Sequence, residues 1–406
     1  MKYILKEIAD IISGGTPKTS VPDYWGGSIP WISIKDFNFG NIYINQTEKS
    51  ITQLGLENSS TNILKSNDII ISARGTVGCL ALINKEMAFN QSCYGIRVKD
   101  ETQINPKYLY WYLKNIMNEL KAKTHGSVFD TIIKTDLENL EINVPDIKTQ
   151  DKISTIIDNI TKKIISNDQI NNNLYKFSNY IFKEWFVEFK YPGFNGKTKN
   201  SELGEIPDNW EIGFFDDSIL TSIIKSGVNK YYGQKKYVAT ADVSGTNITN
   251  YEYVNYTKKP SRANMTPKTS SVWFAKMENS VKNIVVDYYM NDILENYIFS
   301  TGFMGIECLN NSLYYIWCLI NDDKFLQDKN SLSTGTLMAG ISNSTIKNYK
   351  YLIPDQETLH NFNTIELSIN KLIYNNNSEN ERLSQLRNAL LPKLMNGEID
   401  LDNIEI

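Results

Sequence analysis

Gly126–Ser127–Val128, Ile132, Leu137 and Val144–Pro145–Asp146 form one pattern, and Gly335–Thr336–Leu337, Ile341, Ile346 and Ile353–Pro354–Asp355 write it again with every gap preserved. The match extends upstream. Phe89–Asn90–Gln91 runs on to Gly95–Ile96 as Phe299–Ser300–Thr301 runs on to Gly305–Ile306. Ile71–Ser72–Ala73–Arg74 is echoed by Trp273–Phe274–Ala275–Lys276, and Ile34–Lys35–Asp36–Phe37 by Thr240–Ala241–Asp242–Val243. A long internal repeat is therefore expected, one globular block followed by one helical block, twice over. Two similar halves imply two similar jobs, and so a two-part target.

Each globular block mixes short β-rich runs with Gly, Pro, Asn and Ser turns, and carries one helix. In the first block the helix is expected at residues 106–123, with Pro106 at its start and Leu109, Leu113, Ile116 and Leu120 on one stripe. In the second it is expected around 314–325, with Trp317 and Leu319 in register with Trp111 and Leu113. A long helix follows each block, at about 149–186 and 358–395. Ile153, Ile157, Ile160, Ile164, Leu174 and Ile181 step through the first at heptad-like spacing, and Phe362, Ile369, Ile373, Leu383 and Leu390 through the second. Asn167 and Asn171, with Asn376 and Asn380, are candidates to fix the pairing of that seam, although Asn is abundant throughout the chain. Tyr191–Pro192–Gly193–Phe194–Asn195–Gly196 opens a linker that runs to Glu205–Ile206–Pro207.

The 406 residues are 41% hydrophobic and 22% charged, ordinary values for a folded chain with two or three cores. No run is apolar for long enough to cross a bilayer, Arg74 interrupting the best of them, and the N-terminus lacks the pattern of a signal peptide. A cytoplasmic protein without membrane contact is the expectation. Cys79, Cys93, Cys308 and Cys318 have no metal-ligand spacing and read as buried thiols, and neither His125 nor His360 has ligand neighbours. No metal site is expected.

The net charge of −4 argues against nucleic acid, but residues 225–276 hold Lys225, Lys230, Lys235, Lys236, Lys258, Lys259, Arg262, Lys268 and Lys276 against only Asp242 and Glu252. Phosphate affinity follows the local field, though a solvated lysine face has the same composition. Phosphate-cradling, dinucleotide, nucleophile-elbow and zinc-protease motifs are all absent, so no catalytic residue is assigned. Pro145–Asp146 and Pro354–Asp355 read as strand-exit and helix-entry punctuation. The remaining candidates are donors and amides able to meet phosphates or base edges. They are Lys18, Ser33, Lys35, Arg74, Asn90 and Gln91 in the first block, and Lys230, Lys235, Lys236, Tyr237, Thr240, Arg262 and Lys276 in the second. Arg74 and Lys276 lead, because each is expected to end an apolar strand at the same point of the repeat. Tyr24, Trp25 and Trp31 read as packing or as an apolar wall beside a ligand.

Three stretches resemble the specificity subunit of a Type I restriction–modification system: Ile11–Ile12–Ser13–Gly14–Gly15–Thr16–Pro17 with Ile29–Pro30–Trp31–Ile32, Leu203–Gly204–Glu205–Ile206–Pro207–Asp208–Asn209–Trp210, and Leu386–Arg387–Asn388–Ala389–Leu390–Leu391–Pro392–Lys393–Leu394–Met395–Asn396–Gly397–Glu398–Ile399. The resemblance implies an α+β fold with two homologous mixed α/β target recognition domains, separated by a pair of long antiparallel coiled-coil helices in a pseudo-two-fold repeat. The corresponding segments are 1–146 (first recognition domain), 147–190 (first helix), 191–203 (linker), 204–354 (second recognition domain) and 355–406 (second helix and tail). It implies a non-catalytic subunit that recognises a bipartite, gapped site in double-stranded DNA and directs adenine methylation. Its partners would be two modification subunits using S-adenosylmethionine, and up to two restriction subunits using ATP with magnesium. Phe182, Trp185, Phe186, Leu391 and Leu394 exceed what one narrow seam needs and are the expected partner-binding residues. The competing readings are a two-domain scaffold that dimerises through its helices and a self-sufficient enzyme.

Overall fold

The computed structural model describes residues 1–37, 42–123, 131–216, 218–333 and 339–401, without the side chains of 118–123. Gly126–Ser127–Val128, Gly335–Thr336–Leu337, His125 and the Leu120 side chain therefore lie outside the described residues. The chain divides into two compact units, one formed by Met1–Gln169 with Asn376–Ile406 and the other by Ile170–Asn375.

In the first unit a five-stranded sheet has the order Ala9–Ser13, Cys93–Val98, Ile69–Ser72, Leu80–Ile83, Tyr43–Ile44. It is buried on both faces, and the alternation of side chains along a strand divides the work. Ile70 packs with Ile32, Leu64, Ala81 and Phe89 toward a second sheet, ordered Lys49–Ile51, Trp25–Ile32, Met87–Phe89, Ile63–Leu64. Ile69 and Ile71 instead pack with Ile96 of the neighbouring strand, with Tyr108, Leu109 and Trp111 of the helix Pro106–Lys123, and with Ile153, Ile157, Leu391 and Leu394 of the long helices. Trp111 Nε1 donates to Asp158 Oδ1 (2.8 Å), and Lys107 Nζ lies 3.1 Å from the other carboxylate oxygen, so the buried charge is paired.

The second unit repeats the plan. Thr221–Ile223, Phe303–Cys308, Ser271–Ala275 and Asn283–Val286 form one sheet; Glu252–Asn255, Gln234–Val238, Tyr297–Ser300 and Ala263–Met265 form the other. Both copies contain the same parallel pair, Ile32 beside Phe89 and Val238 beside Phe299. The expected helix at 314–325 is two helices, Leu313–Asn321 and Asp323–Ser331. Asp322 divides them because its side chain accepts from Lys324 N (2.9 Å), starting a new helix where the old one would have continued. The stretch read as a linker is ordered: Thr198–Ser201 pairs with Gly204–Pro207, and Tyr191 stacks on the buried Trp210 at 5.1 Å.

The repeat differs from its sequence alignment in one register. Gly95 faces Ile70 across the first sheet, and Gly305 faces Trp273 across the second. Ala73 N donates to Ser92 O (2.7 Å) as Lys276 N donates to Gly302 O (2.9 Å). Arg74 bridges Thr131, and Met277 bridges Gly340. Lys276 thus occupies the place of Ala73, and the counterpart of Arg74 is Met277. A one-residue slip moves a side chain to the opposite face of a strand, so the two cations are not equivalent.

The long helices are Ile147–Phe182, extended by a π turn at Lys183–Val187, and Gln356–Met395. Both Pro–Asp pairs start them. Asp146 accepts from Thr149 N (3.1 Å) and Oγ1 (2.7 Å), and Asp355 from Thr358 N (2.9 Å) and Oγ1 (2.7 Å). The Thr149 bonds hold the Asp146 carboxyl below its usual range. Burial pushes Asp355 the other way, but the bonds from Thr358 and Trp210 prevail and lower it too. Within each unit the helices pack antiparallel. In the first, Ile153 and Ile157 share a core with Leu391 and Leu394 while Lys163 pairs with Glu379 (3.2 Å); in the second, Ser178 meets Glu366 (2.9 Å) and Phe182 packs near Phe362.

The seam is more polar than the isoleucine spacing suggested. Thr161, Asn167, Asn171 and Ser178 are all buried in it. Asn167 Nδ2 donates to Glu379 Oε2 (2.7 Å) and Asn380 Oδ1 (2.8 Å), whereas Asn380 Nδ2 donates to Asp168 Oδ1 (2.8 Å). These directed bonds favour one alignment of the helices.

Candidate nucleic-acid interface

In the first unit, four loops converge where strands end. Gly15 N donates to Phe89 O (2.9 Å) and Asn90 N to Ile32 O (2.9 Å), while Ala73 N reaches Ser92 O (2.7 Å). Thr16 Oγ1 and Gln91 Oε1 are hydrogen-bonded. Gly14 permits the closest approach, since a Cβ there would lie 2.0 Å from Asn90 O. These contacts gather the loop at 13–18, the 3-10 turn Ile34–Asp36, the turn at Asn90–Gln91 and the loop after Ile69–Ser72 into one rim.

The rim brings the sequence candidates together but does not leave them equally available. Asp36 Oδ2 accepts from Ser33 N (2.6 Å) and Oγ (2.8 Å), and Asn90 Oδ1 accepts from Ser92 N (3.1 Å), so both side chains also shape their own turns. Lys35 lies 3.8 Å from Glu48 in an exposed pair that water screens. Lys18, Arg74 and Gln91 are exposed, and no ion pair holds Arg74 among the described residues. Trp31 is buried and donates to Gly15 O (3.1 Å), while Trp25 sits edge-on to it at 5.1 Å, so both serve packing.

The second unit builds a matching rim. Thr301 N donates to Arg262 O (2.9 Å), Lys276 N to Gly302 O (2.9 Å) and Lys282 Nζ to Thr240 O (2.7 Å). Asp242 caps its turn through Ala239 N (2.9 Å), as Asp36 does through Ser33 N. Arg262 is exposed and Lys276 half-buried, and burial lowers the Lys276 ammonium below the usual lysine range. Lys230 and Lys235 do not join this rim: they lie at the opposite end of the strand Gln234–Val238 from Thr240. Tyr237 is buried in the sheet.

The basic segment 225–276 is less positive in space than along the chain. Lys236 Nζ meets Asp292 Oδ2 at 2.8 Å and lies 4.9 Å from the Tyr297 ring centre. Burial opposes its charge, yet Asp292 and Tyr297 together raise its pKa above the usual lysine value. Lys268 pairs with Glu307 at 2.7 Å. The neutralising acids come from elsewhere in the sequence, where a count of 225–276 does not see them.

Lys329 went unnoticed in sequence. It is buried, donates to Ala275 O (3.2 Å) and Ser280 O (2.6 Å), and so holds the loop after Lys276 from beneath; burial lowers its pKa to about 8. The signal was its spacing from Phe325, which puts both on the inward stripe of one helix.

Phe182, Phe186, Leu391 and Leu394, expected to await a partner, are buried within this chain, and Trp185 packs against the same core as Phe182. Phe186 lies 4.6 Å from Tyr315 and 4.8 Å from Phe362. The apolar surplus on the helices exists because each covers a sheet-and-helix core as well as its neighbouring helix. Among the described residues no cluster of potential metal ligands occurs, and no helix is long and apolar enough to cross a membrane. The four cysteines are free and buried, and burial pushes the Cys93 thiol up to about 12.

The model of the Type I restriction modification DNA specificity domain matches residues 1–176. The MjaIX Type I restriction enzyme specificity subunit of Methanocaldococcus jannaschii is 29% identical, over 98% of this chain and 93% of its own length. The HindI specificity subunit of Haemophilus influenzae is 24% identical over 72% of this chain and 77% of its own. In fold, the chain is similar to the crystal structure of the Type I restriction–modification S subunit from M. genitalium, with a TM-score of 0.59 at 15% identity, covering 97% of this chain and 95% of that one. Over nearly its whole length the chain is thus similar to a Type I restriction enzyme specificity subunit, and its first 176 residues match the Type I DNA specificity domain.

Proposed function

We propose that this chain is the DNA-reading subunit of a Type I assembly, each unit recognising one half of a bipartite, gapped site. The observation that carries the reading is the pair of matching rims, one per unit, built on the same strand ends and bearing different side chains. Repeated scaffolds with divergent rims suit two unlike half-sites, because base readout depends on which side chains reach the groove edges. Arg74 and Gln91 lead at the first rim, and Arg262 and Thr240 at the second. Arginine can meet two guanine acceptors at once, and glutamine can do the same for adenine. The chain itself contributes no catalytic residue and no cofactor. Modification subunits bound to it supply S-adenosylmethionine-dependent adenine methylation, and restriction subunits, where present, supply ATP- and magnesium-dependent cleavage.

Methylation-aware sequencing of the source genome, with and without this gene, tests the reading. Loss of one gapped, adenine-methylated motif is the expected result and gives both half-sites. An unchanged methylation pattern in a strain that expresses the assembly would overturn it.

A further inference from the structure

Residues 226–235 and 253–260 contain Lys230, Lys235, Lys258 and Lys259 and no acidic residue, in a chain whose net charge is −4. The strands Gln234–Val238 and Glu252–Asn255 pair these segments, with Gln234 opposite Asn255 at the end of the sheet away from Thr240. Tyrosines are built into that end. Tyr231 stands edge-on to Tyr256 at 5.6 Å and donates to Val254 O (3.0 Å). Lys235 Nζ lies 5.5 Å above the Tyr231 ring, and Lys259 Nζ 5.9 Å above that of Tyr256. A cation held over a ring keeps its full charge for an outside anion, unlike Lys236, whose charge Asp292 takes up.

Beside them Tyr232 is 95% exposed, next to Gly233 at a φ of 76°, in the left-handed region that favours glycine. The first unit has a similar triplet, Tyr24–Trp25–Gly26, with its glycine at 78°, but there Trp25 is laid against Trp31 at 5.1 Å. The second unit leaves its aromatic side chain standing in solvent among lysines.

We propose that this end of the second unit is an additional DNA contact, in which Lys230, Lys235 and Lys258 take backbone phosphates flanking the second half-site and Tyr232 lies against the sugar–phosphate edge. The inference rests on the DNA-reading function above and is separate from base reading at the rim. A five-residue strand, about 17 Å long, separates the two ends. Lysines without intervening acids complement a uniform polyanion, and tyrosine hydroxyls are ordinary donors to phosphate.

The test measures affinity for the gapped duplex against salt concentration, using the full chain assembled with its modification subunits. Replacing Lys230, Lys235 and Lys258 together by alanine is expected to reduce the slope of log affinity on log salt by about 2 to 3, since each phosphate contact contributes about 0.9. The corresponding arginine triple variant is expected to keep the slope. Tyr232→Ala is expected to weaken cognate and non-cognate duplexes alike, by roughly 3- to 10-fold. An unchanged slope in the alanine variant, while the wild-type assembly prefers its gapped site, would overturn the contact and leave the DNA-reading function standing. A wild-type assembly with no preference for a gapped site would overturn both. Release of modification subunits from the alanine variant with the slope intact would make the patch a protein dock and equally overturn the proposal.

Discussion

Glu366 occupies a position that the first copy of the repeat fills with Ile157, and the exchange has a measurable consequence. The side chain is buried in the helix seam of the second unit, where Ser178 Oγ (2.9 Å) and Asn370 Nδ2 (3.1 Å) donate to Oε2, and Oε1 has no partner among the described residues. Burial raises its pKa to about 7 against those two bonds. The folded state therefore holds a proton that the unfolded chain releases near pH 4.3, and stability falls as pH rises from about 4.3 to 7. Glu366→Gln is expected to flatten that decline, worth up to about 3 kcal/mol, in chemical-denaturation curves taken across the range. A slope identical to that of the wild type would show that the carboxyl is ionised throughout. At the first rim, exposed Arg74 has no carboxylate partner among the described residues, so Arg74→Ala is expected to lower cognate affinity by about 10- to 100-fold with the loss confined to the first half-site. Competition between duplexes mutated in one half-site at a time reads this directly; an equal loss with every duplex would make Arg74 a phosphate contact instead.

At the scale of the element, the long helices were legible because periodicity and capping agree. Thr149 and Thr358 follow Asp146 and Asp355 at the same spacing, and both aspartates cap as their positions suggested. The polar middle of the seam was legible only in part. Asn167 and Ser178 fall on the same steps of three and four as the isoleucines, which placed Asn167 in the seam, but their bonds to Asn380 and Glu366 depend on the facing helix. The break at Asp322 was hidden by apolar residues on both sides that continue one stripe. Candidate rim residues could be gathered from turn chemistry and the repeat, but pairing of Lys236 with Asp292 and Lys268 with Glu307 depends on neighbours 56 and 39 positions away. If the two helices set the spacing between half-sites, adding one turn of four residues to both lengthens the span by about 6 Å. The permitted gap is then expected to grow by about two base pairs, read by selecting bound duplexes from a library of gap lengths. An unchanged gap with binding retained would dismiss the helices as the ruler.

Taken whole, the molecule is one design used twice with unequal finish. The first unit lays its exposed-turn aromatic onto a tryptophan, whereas the second leaves it in solvent. The first presents an arginine after its central strand, and the second a methionine at the same point, with a lysine drawn half inside one step earlier. That step has a practical meaning for anyone recombining such chains. A crossover placed by matching Arg74 to Lys276 would put the hybrid one residue out of step where the strand gives way to its loop, and the bridge made there would lose its register. Joined instead at Ala73 and Lys276, the hybrid strand keeps its pairing to the neighbouring strand, and the exchange alters what is read without disturbing what is folded.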